Sequence, residues 1–237
     1  CDSNSYSVDP DDDLVDLSEH WVLPGLIDAH LHFFGVDSMA LDGMYTEPEA
    51  YRAIRSVRDA YRLLEAGFTA VRCLGSPVSP VIARGVNEGI IPGPHIIAAG
   101  NFIAPSGGTW DHIWLPFELM KKVDIVADGV EECTRIVRRR LRQGAGVIKV
   151  GTSLGRFDGD NHAWGDTPHP ADQLLQHSLD ELRAIVEEAH RLGVKVSSHS
   201  IGDAAVNHAL DADIDVIEHG HGMKDETRKR LLDSGKV

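Results

Sequence analysis

The chain has 237 residues, 42% of them hydrophobic, and a formal net charge of −14 from 24 Asp and 13 Glu against 7 Lys and 16 Arg. That is enough apolar material for one sizeable core at about the length of one α/β domain, and the acidic balance excludes nucleic acid and anionic lipid as expected partners. No run of 18 apolar residues exists to span a membrane, and three scattered cysteines (Cys1, Cys73 and Cys133) make no disulfide framework, so a reducing, cytoplasmic setting is expected.

The first predicted element lies in "WVLPGLIDAHLHFFG", residues 21–35, an apolar strand that carries Asp28, His30 and His32 at alternate positions. Alternation places all three on one face. Thr46, Pro48 and Glu49 then form a capping-box signature for a helix that stops at Gly67. "FTAVRCL" is the second strand, with Cys73 expected as a small buried residue. A short helix near "VIARGVNE" ends at Gly89, and "HIIAA" follows as the third strand. Asp128 and Glu131 stand at capping spacing ahead of a helix closed by Gly144, and "VIKV" is the fourth strand. In that helix Arg138, Arg139 and Arg140 are expected on different faces of a solvated outer surface.

Ser178, Glu181 and Gly193 frame the next helix before "VKVSSH". A short helix from about Asp203 precedes "DVIEH", a last helix runs from about Lys224 to Gly235, and a seventh strand starts at Lys236 and Val237. Six strands alternating with six helices imply parallel pairing through right-handed crossovers. Two long connections, 100–124 and 152–177, follow strands, which is where functional loops belong.

Two imidazoles at alternate strand positions can grip one divalent ion, or simply hydrogen-bond to loops. The other strands weigh on that choice. Lys149 sits within "VIKV", His199 ends the fifth strand and His219 the sixth, each near the C-terminal end where parallel α/β folds gather their sites. Four histidines and a lysine converging on one mouth favour a closed barrel with a metal site over an open sheet. Lys149 is either a lysine that snorkels outward or a desolvated amine that captures carbon dioxide as a carbamate and so becomes an anionic ligand.

The segments "VLPGLIDAHLH", "GFTAVRCLG", "GPHIIAAG", "IKV", "VSSHSIGDA" and "DVIEHG" resemble the amidohydrolase superfamily of metal-dependent hydrolases. Within it the resemblance is to the group of Xaa-Pro dipeptidase-like and imidazolonepropionase-related enzymes, and it runs from about residue 14 to the end. It implies an α/β fold, a (β/α)8 TIM barrel, with two divalent ions, commonly zinc. His30, His32, His199 and His219 match the histidine ligands, with His221 on the same face as His219, and Lys149 matches a carboxylated bridge between the ions. Asp28 matches a position behind the ligands, and His112, in a loop after the third strand, is a candidate substrate contact. The implied reaction is attack of a metal-bridging hydroxide on the amide carbonyl of a small molecule such as a dipeptide or N-acyl amino acid. A cyclic amide is the alternative substrate.

The resemblance also implies features that these 237 residues lack. Barrels of this kind have eight strands, and an aspartate on the eighth moves the proton to the leaving nitrogen. Residues 1–24 resemble the remnant of a β-sandwich segment and residues 25–237 an incomplete barrel of about six βα units. A fragment of a longer sequence is therefore expected, with an inactive metal-binding remnant as the competing reading; homo-oligomer formation is left open. Cys1, ahead of Asp2 and Ser3, also resembles a lipidated start, and His162, His169 and His177 are expected in a solvated loop.

Overall fold

A computed structural model describes residues 9–37, 43–112, 115–153 and 174–237. Cys1, His162 and His169 lie outside them. Among the described residues there are six parallel strands: β1 (Leu26–Leu31), β2 (Phe68–Cys73), β3 (His95–Ala98), β4 (Ile148–Gly151), β5 (Val196–Ser200) and β6 (Val216–His219). They form two three-stranded sheets in the orders β1-β2-β3 and β4-β5-β6. The sheets meet where Gly146 N donates to Ala98 O at 2.8 Å and Ile103 N to Lys149 O at 2.9 Å. At the far edges Glu218 on β6 reaches His30 on β1 and Arg72 on β2, so the strands curve around a common interior.

Helices cover the outside: α1 (Gly43–Thr46), α2 (Glu49–Glu65), α3 (Ser79–Asn87), α4 (Phe117–Val123), α5 (Gly129–Arg142), α6 (Leu179–Arg191), α7 (Asp203–Asp211) and α8 (Asp225–Ser234). In α6 the buried residues are Leu182, Ile185, Val186, Glu188 and Ala189, and its apolar members recur at the spacing of one helical face. That face packs with Cys133, Ile136 and Val137 of α5 on Ile148, Val150 and Val196 beneath. Each such aliphatic side chain removed from water contributes roughly 1.5–3 kcal/mol. A second cluster joins Val71, Cys73, Ile96 and Ala98 to Ala60 and Ile82 of α2 and α3. Cys73 is buried there as expected, its Sγ accepting from Phe33 N. Lys236 and Val237 run beside β6, where Ile217 N donates to Val237 O at 2.6 Å.

Five local expectations are corrected. Ser178 caps α6 with the full reciprocal box, but Asp128 does not cap α5: its carboxylate accepts from Ser106 N and Oγ, and Gly129 N donates instead to Glu181. Thr46 does not cap α2, whose N-cap is Pro48. The connection 100–124 contains α4, started after Pro116 and ended by Asp124 in the left-handed conformation. Of the three arginines, Arg138 and Arg139 make outer ion pairs, but Arg140 is 1% exposed and holds Asn101 O, Phe102 O and Asp124. A guanidinium has five donors, and here the post-β3 segment supplies acceptors for them, which is what lets it be buried. His177, expected in a solvated loop, is also buried, its Nδ1 3.3 Å from Gly151 O.

Candidate metal centre

Four imidazoles stand in a row across the strand ends. Ring centroids are 5.3 Å apart for His32 and His30, 4.9 Å for His30 and His219, and 4.6 Å for His219 and His199. His221 lies farther out, 6.3 Å from His219. Alternation along β1, continued one residue past its end, brings His30 and His32 to the same side, and along β5 it puts Ser197 with His199. On β6 the rule fails. Glu218 and His219 are consecutive, yet Glu218 contacts His30 and Arg72 while the His219 ring also lies against His30. His219 has φ +70°, which turns the backbone so that neighbouring side chains share one interior.

Lys149 sits in fully buried β4 at 1% exposure, and its Nζ has no hydrogen-bond partner among the described residues. Burial pulls its pKa down to about 7, against the opposing pull of Glu218 and with a further push down from Arg72. Burial likewise brings His32 and His219 down to about 4, so both rings are neutral at pH 7. Burial would raise the Glu218 carboxyl, but hydrogen bonds from His30 and Ser197 and the charges of Lys149 and Arg72 hold it at about 2.

Among the described residues, no three His, Cys, Asp or Glu side chains close on a single point as they stand. The donor chemistry nevertheless fits a divalent cation. The His32 Nδ1 lies 3.0 Å from Gly75 O, which can only accept, so that nitrogen carries the proton and Nε2 keeps its lone pair. Neutral imidazoles are competent ligands, and a buried amine with no partner is a position that an anionic carbamate and an ion would complete.

Asp28 lies behind the row, its Oδ1 accepting from His30 N at 2.9 Å. His112 packs on Tyr45 and Trp110, and Trp110 in turn meets Phe34 and Phe102, both of which lie against His32. Arg72, Ser197 and Glu218 were not expected in the interior. "IEHG" does carry Glu218 beside His219, but regular alternation would have put only one of the two on the inner face.

A sequence model of the amidohydrolase family matches residues 21–234. The chain belongs to that family. Among relatives of this amidohydrolase-family chain, ochratoxinase of Aspergillus niger is 33% identical over 232 residues, covering 90% of this chain and 46% of that protein. A crystal structure of an amidohydrolase superposes with a TM-score of 0.84 at 28% identity, over 98% of this chain and 56% of the other. A Xaa-Pro dipeptidase with bound methionine in its active site gives 0.78 at 29% identity, over 98% and 56%. The chain thus spans about half the length of the relatives it matches.

Proposed function

We propose that the protein is a hydrolase of carbon–nitrogen bonds, acting on the amide of a small molecule such as a dipeptide or N-acyl amino acid. Its six βα units would then be part of a (β/α)8 barrel, with His30, His32, Lys149, His199 and His219 holding two divalent ions, zinc the first choice. The observation that carries this reading is the row of four imidazoles beside a buried lysine whose Nζ has no partner among the described residues. Family membership and the likeness to a Xaa-Pro dipeptidase support the class of bond and substrate.

Bound ions supply a Lewis acid for the carbonyl oxygen and an activated water at neutral pH. The chain's own part is to present imidazoles from the ends of β1, β5 and β6, and to hold Lys149 dry enough for its amine to take up carbon dioxide. Asp28 steadies the His30 main chain. The test is elemental analysis of the purified chain supplied with bicarbonate, beside His30→Ala and Lys149→Ala. Near-stoichiometric zinc that both variants lose, with a carbamate carbon signal from labelled bicarbonate that Lys149→Ala lacks, is the expected result. A folded chain with no metal and no carbamate would overturn the reading. Hydrolysis of Xaa-Pro dipeptides and N-acyl amino acids, set against a cyclic amide, then assigns the substrate class.

A further inference from the structure

Glu218 is 8% exposed at its side chain and has both carboxylate oxygens engaged. Oε2 lies 2.8 Å from His30 Nδ1; Oε1 accepts from Arg72 Nη2 and from Ser197 Oγ, each at 2.5 Å. Arg72 is anchored in turn, its Nε donating to Ala29 O at 2.8 Å. One carboxylate on β6 therefore ties β1, β2 and β5 together at the level of the imidazole row. Oε1 has two donors and Oε2 has the His30 ring, so three of the carboxylate's roughly four acceptor positions are taken up within the protein.

We propose that Glu218 is the positioning residue of His30: as an acceptor at Nδ1 it holds the proton there and leaves Nε2 as the lone-pair nitrogen, while Arg72 and Ser197 hold the carboxylate in place. The His32 tautomer is set separately, by a backbone carbonyl. The inference rests on the metal reading above for its consequence, but its structural core, the His30 tautomer, exists without metal.

Glu218→Gln keeps the size and removes the charge. Its amide oxygen faces the donors Arg72 and Ser197, so its N–H faces His30 Nδ1, which must then become the acceptor. The proton moves to Nε2, the nitrogen needed for an ion. Histidine side-chain 1H–15N correlation spectra of the metal-free chain, with His30 assigned through His30→Asn, read this directly. Zinc affinity is measured beside them by competition with a chromophoric chelator.

The expected result is the Nδ1–H form of His30 in the wild type, the Nε2–H form in Glu218→Gln, and zinc binding weakened about 10–100-fold in the variant. An Nε2–H form in the wild type overturns the proposal. So does a variant that keeps the wild-type tautomer and zinc affinity, because the carboxylate would then be only a tie between strands. If the variant does not fold, the wild-type spectrum alone decides. A wild type that binds no zinc overturns the metal reading instead, while the tautomer still decides the part of Glu218.

Discussion

The Gly75 carbonyl oxygen and His32 Nδ1 lie 3.0 Å apart, so a residue in the turn after β2 fixes the orientation of a ring just past the end of β1. Gly75 has φ +148°, and a Cβ there would stand 2.3 Å from the Phe102 ring, whose centroid is 5.5 Å from that of His32. Gly75→Ala must move the turn or the ring, and either displaces the carbonyl. The expected outcome is a loss of about 1–3 kcal/mol in stability and zinc binding about tenfold weaker. Denaturant unfolding and chelator competition check the two parts separately.

Arg140 reaches from α5 to Asp124 at the end of α4, Nη1 to Oδ2 at 2.7 Å, and also serves Asn101 O at 2.9 Å. It carries the segment that leads from β3 past Trp110 and His112. Arg140→Met fills similar space but leaves the carbonyls of Asn101 and Phe102 without this donor and the Asp124 carboxylate with Arg139 in its place. A cost of about 2 kcal/mol is expected, chiefly from the buried carbonyls left without their donor. Hydrogen exchange should rise first in residues 100–112, while the β4-β5-β6 sheet keeps its protection.

The legible parts of this chain were those set by local rules. The histidines of β1 follow from alternation, the helix ends from Gly67, Gly89, Gly144, Gly193 and Gly235, and the start of α6 from Ser178 with Glu181. What escaped the sequence depended on partners distant in the chain. Glu218 meets His30 across 188 positions, and the positive φ of His219 lets two consecutive side chains of β6 share the interior. Arg140 looks like one of three solvated arginines until the carbonyls of the post-β3 segment are placed around it. Asp128 has the spacing of a cap, but Ser106 offers its carboxylate two donors that no periodic pattern reveals.

Glu188 supplies the pH dependence. It is a buried residue of α6 whose carboxylate takes Arg138 Nε at 2.6 Å and Arg191 Nε and Nη2 at 2.9 and 2.6 Å. The hydrogen bonds of Arg191 and Arg138 hold its pKa at about 2. A folded-state value below the unfolded one stabilises above the unfolded pKa and is lost as pH falls toward the folded one. Glu188→Gln should therefore be less stable than wild type at pH 7 by about 1 kcal/mol, a modest figure because both arginines are more than half exposed. The gap should narrow below about pH 4.5 and close near pH 2, as followed by urea midpoints across that range.

At the head of α6, Ser178 Oγ accepts from Glu181 N at 3.3 Å, and Glu181 Oε2 accepts from Ser178 N at 2.7 Å. The other Glu181 oxygen accepts from Gly129 N at 2.7 Å, so one carboxylate serves the first turns of both α5 and α6. The two halves of the box should thus differ in cost. Ser178→Ala loses a single cap and is expected to cost about 1 kcal/mol. Glu181→Ala leaves donors of two helices to water and removes a negative charge from both N-termini, so about 2 kcal/mol is expected. Urea midpoints at a constant m-value measure both losses, and equal costs would show that the bond to Gly129 adds nothing to the join between α5 and α6.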